Sequence, residues 1–306
     1  MSSEGEGRCE EHEGESRTAH ARSMTGPRPH ANLRDELLYR TVVPRLRPVR
    51  PGHFLDLGTI HPTDLTPRRV RAYVPEAAPA GTKRPVLVLF DGQNVFGDHG
   101  SFAGGWHAHR AVDRLVAWKP VAPVLVAVDH GGVARIDELT PFPDGRRGGK
   151  LDALLTAIVD QLLPRLHGKL DLQYGPSGHV IGGSSLGGLA ALYSHFKRPE
   201  VFGGALCMSP SLWFTRIKVF EFVAAQSNPY RSRVYLDAGQ REGGGRMLPL
   251  VESMAAHLQR RGWREPASGD AGGDLRVLLR PDSRGGHDER AWRRRFPKAL
   301  RFHFEP

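Results

Sequence analysis

The residues with the clearest chemical potential lie in Gly183-Ser-Ser-Leu-Gly187, which matches the pattern G-x-S-x-G. In this pattern a strand turns sharply into a helix, and the central serine lies at the apex in a strained conformation. Glycines are needed on both sides because a Cβ there meets the neighbouring strand or helix. The spacing selects Ser185 over Ser184 as a nucleophile. It also places the Leu186 N–H at a helix N-terminus, where it can face an oxyanion.

A glycine-rich turn of this kind can also be purely structural or bind a phosphate. An apolar strand, His179–Ile181, is predicted before the turn, and a helix of small residues, Gly187–Phe196, is predicted after it. This context favours the nucleophile because the motif requires a strand, a turn and a helix in that order. The structural and phosphate-binding interpretations stay open as alternatives.

A serine hydroxyl becomes a good nucleophile when a neighbouring base accepts its proton. In proteins with this turn, an acid and then a histidine follow the serine along the chain. The histidines after the turn are His195, His257, His287 and His303. The first two fall inside predicted helices, and the last alternates with two phenylalanines. His287 lies on a loop between a predicted strand and the last helix, so it is the predicted base.

The acid should follow the apolar strand Val234–Gly239, at the edge of the sheet where ligands bind in open α/β folds. Glu242 lies three residues past that strand and is the preferred acid. Its role is to orient His287 and to stabilise the imidazolium. Asp237, inside the strand, is the alternative acid.

Segments with the properties of strands and helices alternate along most of the chain, after two strands that form a β-rich N-terminal opening. This alternation predicts an α/β fold with a mostly parallel sheet covered by helices on both faces. The predicted strands are His53–Ile60, Arg69–Val74, Pro85–Phe90, Ala122–Val128, His179–Ile181, Phe202–Met208, Arg233–Ala238 and Leu275–Leu279. The predicted helices are Trp106–Val116, Leu151–Leu166, Gly187–Phe196, Leu248–Arg261 and a last helix that ends at Pro297.

The composition divides the chain into two parts. Residues 1–35 are rich in Glu, Gly, Ser, Arg and His, and such a segment buries too little apolar surface to order, so we predict a disordered tail. Residues 36–306 are expected to form a single α/β domain.

The 306 residues include 43 Lys and Arg against 33 Asp and Glu, a net charge of +10. The densest basic cluster, Arg290 with Arg293–Arg295, is expected to form a solvated face. No nucleic-acid motif accompanies it, so no nucleic-acid partner is expected. No apolar run is long enough to span a membrane, no secretory signal is present, and Cys9 and Cys207 cannot form a disulfide framework. We expect a cytoplasmic protein without a membrane partner.

Metal ligands are not evident in the sequence. His107 and His109 flank Ala108, but no third ligand at suitable spacing accompanies them. They are expected to shape a pocket wall or to be exposed. Neither a metal nor an organic cofactor is predicted.

Five stretches match a known pattern when they are taken together. They are Leu89–Phe96, Val126–Asp129 followed by Arg135–Pro141, the turn itself, Tyr235–Glu242 and Gly286–Trp292. Over roughly residues 50 to 306 the chain resembles the esterases that include enterochelin (siderophore) esterases, feruloyl esterases, S-formylglutathione hydrolases and secreted mycolyltransferases. Siderophore esterases often carry a large N-terminal domain, and this chain has only a tail and a short β-rich opening in its place.

The resemblance implies an α/β-hydrolase fold without a large lid. It also implies that the backbone N–H of Gln93 is the second oxyanion donor beside Leu186, and that Arg135–Pro141 is a structural element beside the site. The predicted activity is serine-dependent hydrolysis of a small or siderophore-like carboxylic ester. The alternatives are acyl transfer to an acceptor other than water, and a non-catalytic carbohydrate-binding relative of the fold.

Overall fold

A computed structural model describes residues 50–76, 78–101, 103–117, 119, 121–215, 217–266 and 274–305. Its centre is an eight-stranded sheet with the order β1-β2-β4-β3-β7-β8-β9-β10. The strands are β1 (His53–Ile60), β2 (Arg68–Val74), β3 (Val86–Leu89), β4 (Val124–Val128), β7 (His179–Ser184), β8 (Gly204–Met208), β9 (Ser232–Gly239) and β10 (Leu275–Asp282). Two short strands, β5 (Pro143–Asp144) and β6 (Arg147–Gly148), form a separate hairpin.

The main sheet is parallel except at one end. Strand β2 is antiparallel to both of its neighbours, and every other neighbouring pair is parallel. The carboxyl ends of β3, β7, β8 and β9 therefore meet at one edge of the sheet, which we call the carboxyl edge. The predicted α/β class, the mostly parallel sheet and the β-rich opening are confirmed.

Helices cover both faces of the sheet. They are α1 (Ala108–Val116), α2 (Arg135–Leu139), α3 (Leu151–Ala157), α4 (Leu163–His167), α5 (Leu186–Lys197), α6 (Lys218–Ala225), α7 (Met247–Arg260) and α8 (Glu289–Phe304). Alternate residues of each strand point to opposite faces. In β3, Val86 and Val88 pack in one apolar cluster with α3 to α7. Leu87 and Leu89 pack in a second cluster with α1 and α8.

Two helices differ from the prediction. The last helix does not end at Pro297 but continues to Phe304. Phe296, Ala299 and Leu300 bury one face of the helix on both sides of the proline, and this packing outweighs the hydrogen bond that proline cannot make. The predicted helix Leu151–Leu166 is interrupted by a π-helical stretch, Ile158–Leu162, between α3 and α4.

The predicted disordered tail, residues 1–35, lies outside the described residues. Within the described ranges, each helix is too short or too polar to cross a lipid bilayer.

Candidate active site

Ser185 occupies a strained turn between β7 and α5. Its backbone has φ 57° and ψ −121°, in a region that side chains rarely adopt. A Cβ on Gly183 would lie 2.6 Å from the backbone carbon of Gly187, so only glycine allows the strand and helix to approach this closely. The Ser185 N–H donates to the Met208 carbonyl at 2.9 Å, and the Ser185 carbonyl accepts from the Ser211 N–H at 3.0 Å. Neighbouring backbone therefore holds the turn on both sides.

The hydroxyl of Ser185 lies next to the predicted base. The Oγ atom is 2.8 Å from Nε2 of His287, and Nδ1 of the same ring is 2.9 Å from Oε2 of Glu242. The His287 side chain is 34% exposed, whereas the Glu242 side chain is fully buried. The Trp292 ring contacts the imidazole edge to face, with 5.0 Å between ring centroids. The structure thus brings Ser185, His287 and Glu242 into one hydrogen-bonded chain.

The second carboxylate oxygen of Glu242, Oε1, accepts hydrogen bonds from groups other than His287. Oε1 accepts hydrogen bonds from the Gly239 N–H and the Ser209 hydroxyl, each at 2.8 Å. It also accepts from both terminal nitrogens of Arg295, at 3.1 and 3.2 Å. Burial raises the pKa of a carboxyl group, but the hydrogen bond from His287 and the charge of Arg295 hold the pKa of Glu242 below its ordinary value. Glu242 is therefore an ionised carboxylate with Oε2 directed at the imidazole.

The alternative acid, Asp237, has hydrogen-bond partners other than the histidine. Its Oδ1 accepts from the Ser209 N–H and its Oδ2 accepts from the Tyr235 hydroxyl, each at 3.1 Å. Complete burial raises the pKa of Asp237 to about 6. Of the two acids that the sequence leaves open, the one hydrogen-bonded to His287 is Glu242.

Gln93 and Leu186 lie in the first turns of two helical segments. Gln93 follows Asp91 and Gly92 in a short 3₁₀ turn after β3, and Leu186 is the first residue of α5. N–H groups in a first helical turn lack acceptors within the helix and can bind an anion. The Gln93 side chain is already engaged, because its amide pairs with the backbone N–H and carbonyl of His130, both at 3.1 Å.

The segment Arg135–Glu138 braces the loop that carries Gln93. The Arg135 guanidinium pairs with both carboxylate oxygens of buried Asp91, at 2.6 and 2.7 Å. Glu138 pairs with Arg68 and accepts from the Gly131 N–H at 2.7 Å. These ion pairs agree with the structural role expected for the segment.

Three residues near the site were not identified from the sequence. Ser211 places its hydroxyl 3.3 Å from that of Ser185, and Ser209 contacts Glu242. Both follow β8, and residues just past a strand neighbouring β7 are candidates for the same edge of the sheet. The third residue is Arg295, whose predicted place on a solvated face is wrong: it is 5% exposed. Its place next to Phe296 and three residues after Trp292, on the buried stripe of α8, is the signal that could have identified it.

The surroundings of His107, His109 and Cys207 indicate structural roles. His107 lies 2.9 Å from the Asp98 carboxylate, and the His109 ring packs beside Phe54 and Tyr73. Among the described residues, no group of three or more His, Cys, Asp or Glu side chains is placed to hold a metal ion. Cys207 is buried, and burial raises the pKa of its thiol far above the ordinary value.

Comparison with solved structures supports the same fold. The structure of the BES protein from Bacillus cereus aligns with a TM-score of 0.68 and 18% identity, over 84% of this chain and 97% of that one. At this identity the likeness concerns the fold, which is the α/β-hydrolase fold that the resemblance implies.

Comparison of sequences finds relatives that include two named esterases. An iron(III) salmochelin esterase from Escherichia coli is 32% identical over 155 residues, covering 48% of this chain and 33% of that protein. An iron(III) enterobactin esterase from Dickeya dadantii is 29% identical over 189 residues, covering 60% of this chain and 39% of that protein. The chain spans about a third to three fifths of the length of the curated relatives it matches.

The family model described as "Putative esterase" matches residues 65–303. That range begins before β2 and includes the serine turn, the carboxylate, the histidine and nearly all of α8. The chain therefore belongs to this esterase family.

Proposed function

We propose that the protein is a serine-dependent carboxylic ester hydrolase. One observation carries the proposal: Ser185 Oγ, His287 and Glu242 form a continuous chain with contacts of 2.8 and 2.9 Å. Packing alone does not require a strained serine, a partly exposed imidazole and a buried carboxylate to line up in this order. Such an alignment is the arrangement that activates a serine hydroxyl.

The first half of the reaction forms an acyl-enzyme. Ser185 Oγ attacks the ester carbonyl while Nε2 of His287 accepts the hydroxyl proton. Glu242 holds the other ring nitrogen and stabilises the imidazolium. The N–H groups of Gln93 and Leu186 bind the tetrahedral oxyanion, and losing one such donor typically costs about 10²–10³ in turnover. As the intermediate collapses, the imidazolium gives its proton to the departing alkoxide.

The second half releases the acid. Water replaces the alcohol, His287 accepts a proton from it, and the resulting hydroxide attacks the acyl carbon. The second tetrahedral intermediate then expels Ser185, which recovers its proton from the imidazolium. Each step uses side chains and backbone amides of this chain.

We propose a small or siderophore-like ester as the substrate class. Its support is the similarity to relatives named as salmochelin and enterobactin esterases. Trp213, two residues past Ser211, is 55% exposed and offers an aromatic surface to a substrate near the serine. The cytoplasmic location that the sequence predicts is part of this proposal.

The test compares two adjacent serines. Ser185→Ala should abolish the release of p-nitrophenol from p-nitrophenyl butyrate, whereas Ser184→Ala, which alters the buried last residue of β7, should retain it. Equal activity of Ser185→Ala and the wild type would contradict the proposal. Product analysis with added acceptor alcohols then separates hydrolysis from acyl transfer, because a transferase yields a new ester instead of the free acid.

A further inference from the structure

Arg295 is a buried cation between two buried carboxylates. It extends from α8, and its side chain is 6% exposed, while those of Glu242 and Asp237 are fully buried. Both terminal nitrogens bind Oε1 of Glu242, and Nη2 also donates to the Ser209 hydroxyl at 2.8 Å. A buried arginine is costly unless its charge is compensated. Here two carboxylates compensate it, and only one of them touches His287.

The contact between Arg295 and Asp237 differs from that between Arg295 and Glu242. Nε of Arg295 lies 3.5 Å from Oδ2 of Asp237, yet it has no hydrogen-bond partner among the described residues. Asp237 instead takes its hydrogen bonds from Tyr235 and Ser209. Asp237 therefore acts on the guanidinium through charge, whereas Glu242 is held by directed hydrogen bonds.

The three groups carry a net charge of −1 when both carboxyls are ionised. They carry no net charge when Asp237 is protonated, and burial raises the pKa of Asp237 to about 6. The charge beside Glu242 therefore changes within the pH range in which a histidine base titrates. A net negative charge there stabilises the imidazolium, and a neutral cluster stabilises it less.

We propose that Arg295 and Asp237 form a buried charge pair behind Glu242 that sets the proton affinity of His287, and with it the pH at which Ser185 becomes reactive. The inference rests on the proposed serine mechanism and deepens it. Arg295 and Asp237 act through Glu242 without touching the reacting atoms, so they are positioning residues. Glu242 supplies the contact to the imidazole, and the pair behind it adjusts the charge.

Other charged or titratable groups interact with this cluster, with His287 or with their immediate neighbours. They are Tyr235 on β9, Cys207 on β8, Arg280 and Asp282 on β10, and Asp288, Glu289 and Arg294 at or near the start of α8. Burial raises the pKa values of Tyr235 and Cys207, so both stay neutral near pH 6. Arg294 pairs with Asp282 at 2.8 Å, and this outer pair adds no net charge. Burial also raises the pKa of Glu289, which interacts with His287, but Glu289 is the same in every variant compared below. Within the cluster of Arg295, Glu242 and Asp237, the group with a raised pKa is Asp237.

Two variants isolate the effect of one charge. Asp237→Asn fixes the cluster at zero charge. Arg295→Gln combined with Asp237→Asn leaves Glu242 as the only charge, −1, with the hydrogen bond from His287 still favouring the ionised carboxylate. We expect the acid limb of the pH profile of kcat/KM for p-nitrophenyl butyrate to lie about one pH unit higher in the double variant than in Asp237→Asn. Glutamine keeps a hydrogen-bond donor near Glu242, so the comparison changes charge more than packing.

The matched control is Arg294→Gln, which removes an exposed arginine from the preceding position of the same helix. Its acid limb should coincide with that of the wild type. Identical limbs in folded Asp237→Asn and the double variant would overturn the inference while leaving the serine mechanism intact. Activity retained by Ser185→Ala would instead overturn the mechanism itself.

A measurement on the wild-type protein covers the case in which a variant does not fold. The imidazole Cε1 proton of His287, assigned by its loss in His287→Ala, should report its own ionisation and a second one from Asp237. The second should have the pKa of about 6 that burial gives Asp237. A single ionisation of His287 between pH 4 and 9, a range that includes the ordinary histidine value of about 6.5, would overturn the inference.

Discussion

Histidines lie at both edges of the central sheet, and the two edges surround them differently. At the opposite edge, where these parallel strands begin and which we call the amino edge, His179 begins β7 and His195 lies within hydrogen-bonding distance of Ser232 at the start of β9. His303 packs against Gly204 at the start of β8. These three are buried, and burial lowers their pKa values to about 4, 4 and 3 respectively. At the carboxyl edge, His287 is partly exposed and bonded to an ionised carboxylate.

The difference shows what converts a histidine from packing to chemistry. A buried imidazole without a carboxylate partner stays neutral and contributes to packing. A partly exposed imidazole between a carboxylate and a hydroxyl can accept a proton and return it. In this structure the strained serine and the carboxylate lie at the edge that holds His287, so the two edges should respond to mutation in opposite ways.

The largest expected effect is at the carboxyl edge. His287→Ala should lower kcat for ester hydrolysis by about 10⁴–10⁶-fold, because the serine loses its base. The melting temperature should change little, because the ring is partly exposed. Turnover of a p-nitrophenyl ester and thermal unfolding measured on the same sample check both parts. A loss of less than tenfold would remove His287 from the mechanism.

The two acids provide the next test. Glu242→Gln should lower kcat by about 10³–10⁴-fold, because the amide cannot stabilise the imidazolium and favours the wrong ring tautomer. Asp237→Asn should lower kcat far less, because its carboxylate does not contact His287 and acts only through charge. Steady-state kinetics at pH 8 compare the two. If Asp237→Asn proved the more damaging, the acid would be Asp237, the alternative that the sequence left open.

The amino edge should show the opposite pattern. His195→Ala should reduce the free energy of unfolding by about 3 kcal/mol, because it opens a cavity and leaves the Phe202 carbonyl and the Ser232 hydroxyl unpaired. The kcat of the folded fraction should be unchanged. Urea unfolding gives the first quantity and active-site titration the second. A strong loss of kcat in fully folded His195→Ala would break the distinction between the edges.

The smallest effect per residue lies in the dependence of stability on pH. The pKa values of His179, His195 and His303 are lowered by folding, so their stabilisation is complete above about pH 6.5 and is lost as pH falls towards 4. Each of the three histidines should lower the free energy of unfolding by about 2 kcal/mol at pH 5. The raised pKa of Asp237 acts in the opposite direction, because its stabilisation is complete below about pH 4 and is lost as pH rises through 6. Between pH 7 and pH 5 the stability lost through the three histidines exceeds the stability gained through Asp237.

We therefore expect a lower urea midpoint at pH 5 than at pH 7. His195→Ala should weaken this dependence, because one of the three histidines is then absent. Equal midpoints at the two pH values would show that the buried histidines are not neutral in the native state.

Much of this arrangement follows from local sequence. Buried parallel strands are continuous apolar runs, so most strands were predicted to within a few residues of their ends. The order of serine, acid and histidine, together with their places after strands, predicts which side chains can meet. Long-range packing is harder to predict. Helix α8 continues past Pro297, and Arg295 is buried. Both features depend on what the helix packs against. A run of arginines by itself does not show which one points inward.

The most direct test of the central claim is covalent labelling with a fluorophosphonate followed by mass mapping of the modified residue. The serine mechanism predicts a single label on Ser185, absent in Ser185→Ala and formed much more slowly in His287→Ala. A label on another residue, or folded wild-type protein that stays unmodified, would contradict it.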